Sequence, residues 1–497
     1  MKMTTAHGHG PTRRPTIGII GTGFGGLAAA IELKRAGFTD LVLFERAHDV
    51  GGVWRANTYP GAACDVPSPY YSFSYAPNPR WPRRYSRQPA ILDYLRDIAE
   101  RYDIRRHIRF GTEVTSAEYD EAAQTWSVRT GSGELVQVDV LVTAVGQLSR
   151  PAFPTIKGSK AFGGAAFHSA EWDHSVDLTG KRVAVIGTGA SAIQFIPEIQ
   201  PQVAKLTVFQ RSAPYLLPRP DTDFSAWQHR LFARVPWTQK AERGGWWGLT
   251  EMLAVAFLYS RPLSKLVHWV CHAHMAHQVP DPALFAKVWP TYPVGCKRIL
   301  FSSNYLPALT RPNVNVVTDR ITEITDRGIV TEDGCLHEVD VIIYGTGFTA
   351  SDFLAPMRIR GSGGQDLRER WADGARAYLG MSVPDFPNFF LMYGPNTNLG
   401  SGSIVYMLEN QARYIRRAVQ HIVAIGSAIS VRPDVEAAYD AEIQAKLVDG
   451  VWSRCTSWYR NASGRITANW PGTQTAYARR TATFDPGEYM ITRGRVA

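Results

Sequence analysis

The segment Thr16-Ile17-Gly18-Ile19-Ile20-Gly21-Thr22-Gly23-Phe24-Gly25-Gly26 decides the fold. A short apolar run that closes on glycine is the pattern of a buried strand. Gly21, Gly23 and Gly26 then stand at G-x-G-x-x-G spacing, with Phe24 inside the loop, and Leu27 to Ala36 repeats apolar residues at helical intervals. Leu41 to Phe44 reads as a second strand and ends on Glu45. Each element has a physical task in holding a dinucleotide. Gly21 makes the turn, Gly23 lets backbone approach a pyrophosphate, and Gly26 allows close helix–sheet packing. The helix start offers unpaired N–H groups to phosphate. Glu45 stands where a carboxylate accepts hydrogen bonds from an adenosine ribose.

The pattern recurs. Lys181 to Ile186 reads as a buried strand, followed by Gly187-Thr188-Gly189-Ala190-Ser191-Ala192 and a helix from Ile193 that carries Gln194. Ala192 replaces the third glycine, a change this fingerprint tolerates. The next strand, Lys205 to Phe209, ends in Gln210-Arg211-Ser212 instead of an acid. A carboxylate there would repel a 2′-phosphate, whereas arginine neutralises it and offers paired donors. The first site is therefore expected to bind FAD and the second NADPH, with Thr188, Gly189, Ala190, Ser191, Ala192, Gln194, Arg211 and Ser212 around the latter. The bland alternative for Arg211 is a solvated charge at a strand end.

Two such units predict an α/β protein with two Rossmann-like dinucleotide-binding domains. Buried strands at 138–146 and 339–348 mark the crossings between them. The expected flavin domain is discontinuous, 1–150 and 384–497. The expected NADP domain is 151–383, with a helical insert at about 213–300 where Pro214 to Leu300 breaks the α/β rhythm. Tryptophans and basic residues mix from Arg234 to Leu266, which could read as a membrane-surface helix. Pro236 and Pro262 interrupt any single long helix there, so an insert packed on the nucleotide domain is the expectation.

The bulk properties fit. A chain of 497 residues is long enough for two or three domains. The formal charge of +10 suits anionic ligands; no basic cluster interleaved with aromatics appears, so no nucleic-acid partner is expected. Cys64, Cys271, Cys296, Cys335 and Cys455 are widely scattered and none forms a C-x-x-C or C-x-x-x-x-C pair, which argues against a disulfide framework, a zinc site or a redox dithiol and for a reducing, cytoplasmic setting. Met1 to Pro15 is polar, reads as no signal peptide and is expected as a disordered tail.

Between the two glycine loops lies Phe162-Gly163-Gly164-Ala165-Ala166-Phe167-His168-Ser169-Ala170-Glu171-Trp172-Asp173. Read as F-x-G-x-x-x-H-x-x-x-W-D, with Phe162, Gly164, His168, Trp172 and Asp173 as anchors, it resembles the signature of type I Baeyer–Villiger monooxygenases, the class B flavoprotein monooxygenases. It is the passage from one dinucleotide site to the other. The family's G-G-x-W and Y-P-G-x-x-x-D motifs are matched at Gly51-Gly52-Val53-Trp54 and Tyr59 to Asp65. The resemblance places Val53, Trp54 and Tyr71 against the flavin and Asp65 beside its isoalloxazine ring. It brings backbone near Val114 to the adenine and Ile404, which opens a helix after Gly394-Pro395-Asn396, to the pyrimidine edge. It gives Lys297 to the NADP 2′-phosphate and Arg298 to the flavin face. The tail, Ser457 to Tyr489, resembles the 4-hydroxyacetophenone monooxygenase-like branch.

The resemblance implies that NADPH reduces FAD and that O2, through a C4a-peroxyflavin, inserts one oxygen atom beside a ketone carbonyl to give an ester or lactone. Arg298 and Asp65 are then the catalytic pair, with Asp65 holding the guanidinium in place. The partners are a small-molecule ketone and O2. The alternatives are a flavin-containing monooxygenase acting on amine or sulfide atoms, whose signature usually lacks the Trp-Asp ending, and a disulfide reductase, which needs a dithiol near the flavin.

Overall fold

Ile17, Gly18, Ile19 and Ile20 are all buried, because their strand lies at the centre of a sheet covered on both faces. In this computed structural model, which describes residues 14–457, 459–461 and 463–492, the first sheet runs Phe389–Leu391, Val140–Thr143, Ile17–Ile20, Leu41–Phe44, Ile108–Arg109, all parallel. The second has the same plan: Val314–Val317, Lys205–Phe209, Arg182–Ile186, Val341–Tyr344, Ala165–His168. The protein is thus α/β with two Rossmann-like sheets. The segment that bears the monooxygenase-like signature supplies the edge strand of the second.

Both glycine loops turn in the left-handed region, Gly21 at φ +99° and Gly187 at φ +105°. A side chain at Gly26 would start 1.9 Å from the Gly21 carbonyl oxygen, so the helix Phe24–Arg35 packs against its own strand only as glycine. Ala192 fits at the equivalent place, opening the helix Ala192–Ile199.

The run expected as one strand over 138–146 divides. Leu135–Val138 joins a mixed sheet, antiparallel through Thr125–Thr130 and Val114–Asp120 with Arg358–Arg360 running parallel at its edge, while Val140–Thr143 enters the first parallel sheet. Asp139 makes the break: its carboxylate accepts the Thr16 N–H at 2.7 Å and ties the corner to the first strand. Between 213 and 300 lie helices Ala226–Arg234, Pro236–Leu258, Arg261–Gln278 and Pro282–Val288. Pro236 and Pro262 sit in first turns, where a missing N–H is harmless. The helix from Ile404 runs to Ile425 and stops at Gly426, in the left-handed conformation. Pro433–Val448 adds a helix that the sequence reading did not anticipate.

One expectation is overturned. Cys296 and Cys455, 159 residues apart, form a disulfide, while Cys64, Cys271 and Cys335 are free. Spacing along the chain reveals motif pairs, not a pair made by folding a tail back on a distant loop. The cysteine argument for a reducing, cytoplasmic setting lapses with it. Among the described residues no helix is long and apolar enough to cross a membrane. The tail expected over 1–15 lies, up to residue 13, outside the described residues.

Candidate active site

The two glycine loops leave helix starts free for anions. Gly23 precedes the helix Phe24–Arg35 and Ser191 the helix Ala192–Ile199, and neither first turn is capped by a side chain. Gly23 faces Gly52 across a gap in which an added Cβ would stand 3.6 Å from the Gly52 Cα, so Gly51-Gly52 and Val53, which opens a short helix, close the cradle's other side. Glu45 is buried; its carboxylate accepts from the Thr22 N–H at 3.1 Å, the Thr22 hydroxyl at 2.6 Å and the Ala47 N–H at 3.0 Å. It is held beside the loop, where a ribose would share it. Val114 is buried at the start of its strand, and the nearby Thr112 N–H donates to the Glu45 carbonyl at 2.8 Å.

The Trp54 indole donates to the Tyr71 hydroxyl at 3.2 Å, the rings meeting edge to face, and Phe24 packs edge-on against the same tyrosine. Burial pushes the Tyr71 phenol far up, so it stays a neutral donor and acceptor. Ile404, half-buried, opens its helix and packs against the same core.

Asp65 and Arg298, 233 residues apart, meet here. The guanidinium donates through Nε at 3.0 Å and through Nη2 at 2.9 and 2.8 Å, a two-pronged pair that fixes the plane of the arginine. The Asp65 carboxylate raises the proton affinity of the guanidinium still further, so Arg298 is positive at every working pH. Arg219 steadies the loop below, donating to the Cys64 carbonyl at 3.2 Å and the Tyr85 carbonyl at 3.4 Å.

Lys297, one residue away, points to the second loop: its Nζ donates to the Ser212 hydroxyl at 2.9 Å. Burial, then the neighbouring positive charge of Arg211, pushes its ammonium below the ordinary lysine value. The Thr188 hydroxyl donates to the Ser212 carbonyl at 3.1 Å, completing a cationic, donor-rich pocket of Arg211, Ser212 and Lys297. Gln194 faces the other way and grips the loop Thr58 to Asp65, the flavin-side loop by its expected role, at Ala63 and Tyr59.

The signature residues do not line this pocket. A Cβ on Gly164 would lie 2.3 Å from the Asp340 carbonyl and 2.8 Å from the Phe162 ring, so Phe162 and Gly164 form one packing unit. His168 is buried with Nδ1 accepting the Ala170 N–H at 3.1 Å, and burial pushes its pKa down. Trp172 packs edge to face on Phe167 and against Phe195. Asp173 is exposed; its carboxylate accepts from the Ser175 N–H at 2.9 Å and hydroxyl at 2.6 Å, which lowers its pKa. The next residue, His174, reaches Thr58 of the flavin-side loop at 2.8 Å. These side chains fix a connector rather than touch a ligand pocket.

Sequence reasoning missed the half-buried Tyr393 and the fully buried Tyr459 in the electrostatic surroundings of Arg298, both phenols pushed up by desolvation. Tyr393 sits at φ +59° and donates to Asn398 at 2.7 Å. A non-glycine residue forced into that conformation has no local sequence mark.

The flavin-binding monooxygenase-like family model matches residues 14–357. A Baeyer-Villiger monooxygenase of Streptomyces coelicolor is 44% identical over 481 residues, 96% of this chain and 92% of its own. The structure titled "Oxidized steroid monooxygenase bound to NADP" superposes with a TM-score of 0.86 at 32% identity, covering 97% of this chain and all of that one. OTEMO in complex with FAD and NADP gives 0.86 at 28% identity, covering 96% and 99%. With two phosphate-ready glycine loops and a clamped arginine on the page, these matches carry one conclusion: the chain belongs to the flavin-binding monooxygenase-like family and, within it, to the Baeyer–Villiger monooxygenases.

Proposed function

We propose that the protein is an NADPH- and FAD-dependent monooxygenase that converts a ketone, O2, NADPH and a proton into an ester or lactone, NADP+ and water. The observation that carries this reading is Arg298, one residue from a phosphate-ready lysine and clamped by Asp65 of the loop that follows Tyr59. FAD would be held by the loop Gly21 to Gly26, by Glu45 and Val114 on the adenosine side, and by Val53, Trp54, Tyr71 and Ile404 around the ring system. NADPH would be held by Gly187 to Ala192, with Arg211, Ser212 and Lys297 on its 2′-phosphate. The uncapped helix starts after Gly23 and Ser191 and the lowered, half-buried Lys297 fit these groups. The flavin-binding part comprises 1–150 and 384–497 and the NADP-binding part 151–383.

Bound FAD would supply hydride acceptance from NADPH and activation of O2. The chain's own contribution is electrostatic. Arg298 presents a positive charge that cannot be lost by deprotonation, in a site lined by buried aromatics. A fixed donor in such surroundings stabilises negative charge developing on oxygen by far more than one in water. Asp65 holds that charge in one orientation, and Lys297 holds the nucleotide by its phosphate, away from the reacting atoms. A sulfide or amine could occupy the same pocket. Cys64, the cysteine of the flavin-side loop, is free and buried, with burial holding its thiol protonated, which disfavours dithiol chemistry there.

The test supplies purified, FAD-loaded protein with NADPH, 18O2 and a panel of cyclic, linear, aryl and steroid ketones beside a sulfide. Ester carrying one 18O atom is the expected product. Sulfoxide as the sole oxygenated product, or hydrogen peroxide alone with every ketone, would overturn the reading.

A further inference from the structure

The helical insert presents an outward face with many large apolar side chains that the described residues leave exposed. On Pro236–Leu258 and its C-cap Tyr259, the residues Trp237, Ala241, Gly244, Gly248, Met252, Val255 and Tyr259 recur at intervals of three and four, one stripe of the helix, and nearly all are exposed; Trp237 is 68% and Tyr259 67% accessible. On Arg261–Gln278, Leu266, Trp269 and Ala273 form a second stripe, with Trp269 64% accessible. Trp227 on the preceding helix is exposed as well. Soluble monomers rarely leave so many large apolar side chains together in water. The glycines reinforce the point: a Cβ added at Gly244, Gly245 or Gly248 would meet nothing within 4 Å, so no intramolecular packing requires them.

The charges around this face have one sign. Residues 226–278 contain only two acids, and both are used internally: Glu242 pairs with Arg84 at 3.3 Å, and Glu251 accepts the Gln474 N–H at 2.8 Å. Arg243 is likewise consumed, donating to the carbonyls of Pro69, Tyr70 and Ser72. Arg230, Arg234, Lys240, Arg261 and Lys265 are exposed and have no ion-pair partner among the described residues. Exposed tryptophans with unpaired lysines and arginines on helices that are not long and apolar enough to cross a bilayer match an interfacial helix seated at the headgroup level. A second copy of this chain would bring like charges together across the contact, whereas an anionic surface complements them.

We propose that the helical hairpin Pro236–Gln278 is a docking surface for an anionic lipid bilayer, with Trp237, Tyr259, Leu266 and Trp269 entering the headgroup region and Lys240, Arg261 and Lys265 pairing with lipid phosphates. The inner side of the hairpin reaches the candidate active site: a Cβ on Gly295 would lie 3.0 Å from the Phe257 ring, next to the loop that carries Lys297 and Arg298. The docking helix therefore lies between that loop and the bilayer.

The test sediments FAD-loaded, full-length protein with vesicles of phosphatidylcholine alone or mixed with phosphatidylglycerol, at low and high salt. It also follows quenching of tryptophan emission by brominated lipid. Binding to the mixed vesicles, weakened by salt, is expected. The double variant Trp237→Ser/Trp269→Ser, which keeps every charge, should bind at least tenfold more weakly and lose the quenching, with flavin content and NADPH oxidation unchanged. Absence of binding to the mixed vesicles overturns the proposal. So does equal binding by variant and parent, which would trace adhesion to the overall charge. A concentration-dependent dimer that the double variant abolishes, without vesicle binding, would overturn it in favour of a second copy.

Discussion

The Gln194 side-chain amide clasps the backbone of Ala63 from both sides, donating to its carbonyl at 3.0 Å and accepting its N–H at 3.2 Å, while the Tyr59 hydroxyl donates to the same Oε1 at 3.1 Å. Gln194 belongs to the helix that starts at the second glycine loop, and Ala63 lies two residues before Asp65. The clasp therefore ties the helix of the second glycine loop to the loop that carries Asp65, which the proposed function sets on the nicotinamide and flavin sides respectively. Replacing it with Gln194→Met keeps the length and removes the polar atoms, at a cost of about 1 kcal/mol for a part-buried site. Stopped-flow reduction of bound FAD by NADPH should slow roughly fivefold, the rate equivalent of that energy. Unchanged reduction would show that the two sides are aligned by other contacts.

Lys297 gives the nucleotide site a pH signature. Its ammonium must be protonated to hold a phosphate, and burial beside Arg211 sets its pKa below the ordinary 10.5. Since the charged form is the binding form, affinity is full at low pH and declines as pH rises through the lowered value. KM for NADPH should therefore begin to climb at a pH below that of an ordinary lysine. In Lys297→Met, KM should be higher throughout and the climb absent. A climb that persists in the variant would assign the titration elsewhere.

Gly164→Ala tests why the connector carries glycine. The new methyl would start 2.3 Å from a backbone oxygen, that of Asp340, which cannot rotate away as a side-chain tip can. Overpacking of this kind costs about 1–3 kcal/mol. Urea denaturation should report that loss, with the edge strand Ala165–His168 affected first. A change within about 0.5 kcal/mol, the size of an ordinary surface substitution, would contradict it.

The chain has five cysteines, of which Cys296 and Cys455 are joined. Denatured without reductant, protein purified in air should therefore titrate three thiols, rising to five after reduction. In the native state Cys335 alone should react quickly, because Cys64 and Cys271 are buried with their thiols pushed up. Five thiols without reductant would mean the two sulfurs approach but do not bond.

How much of this was legible depends on whether a signal is local. Strand, glycine turn and helix at 16–36 follow from neighbours in sequence, and the two sheets assemble on them as read. Arg211 could be told from an acid because it follows its strand directly. The Cys296–Cys455 bond could not, since only the folded tail brings Cys455 to that loop. Nor could the corner at Asp139, where a carboxylate set inside an otherwise apolar run hydrogen-bonds to distant Thr16 and divides the strand. Arg298 and Asp65 were legible as types through the resemblance; their bidentate geometry needed the tertiary structure. Trp172 and Asp173 are the reverse case, conspicuous in sequence yet acting through packing and a local turn.

The central claim, that Arg298 supplies the charge oxygen insertion needs, is tested most directly by the ester yield of Arg298→Ala relative to NADPH consumed. Removing one fixed donor of this kind costs on the order of 100- to 1000-fold in rate. The account predicts that the variant still binds FAD and still oxidises NADPH, with the oxygen appearing as hydrogen peroxide and ester formation falling by that factor. Ester formed at the parent rate per NADPH consumed would contradict it.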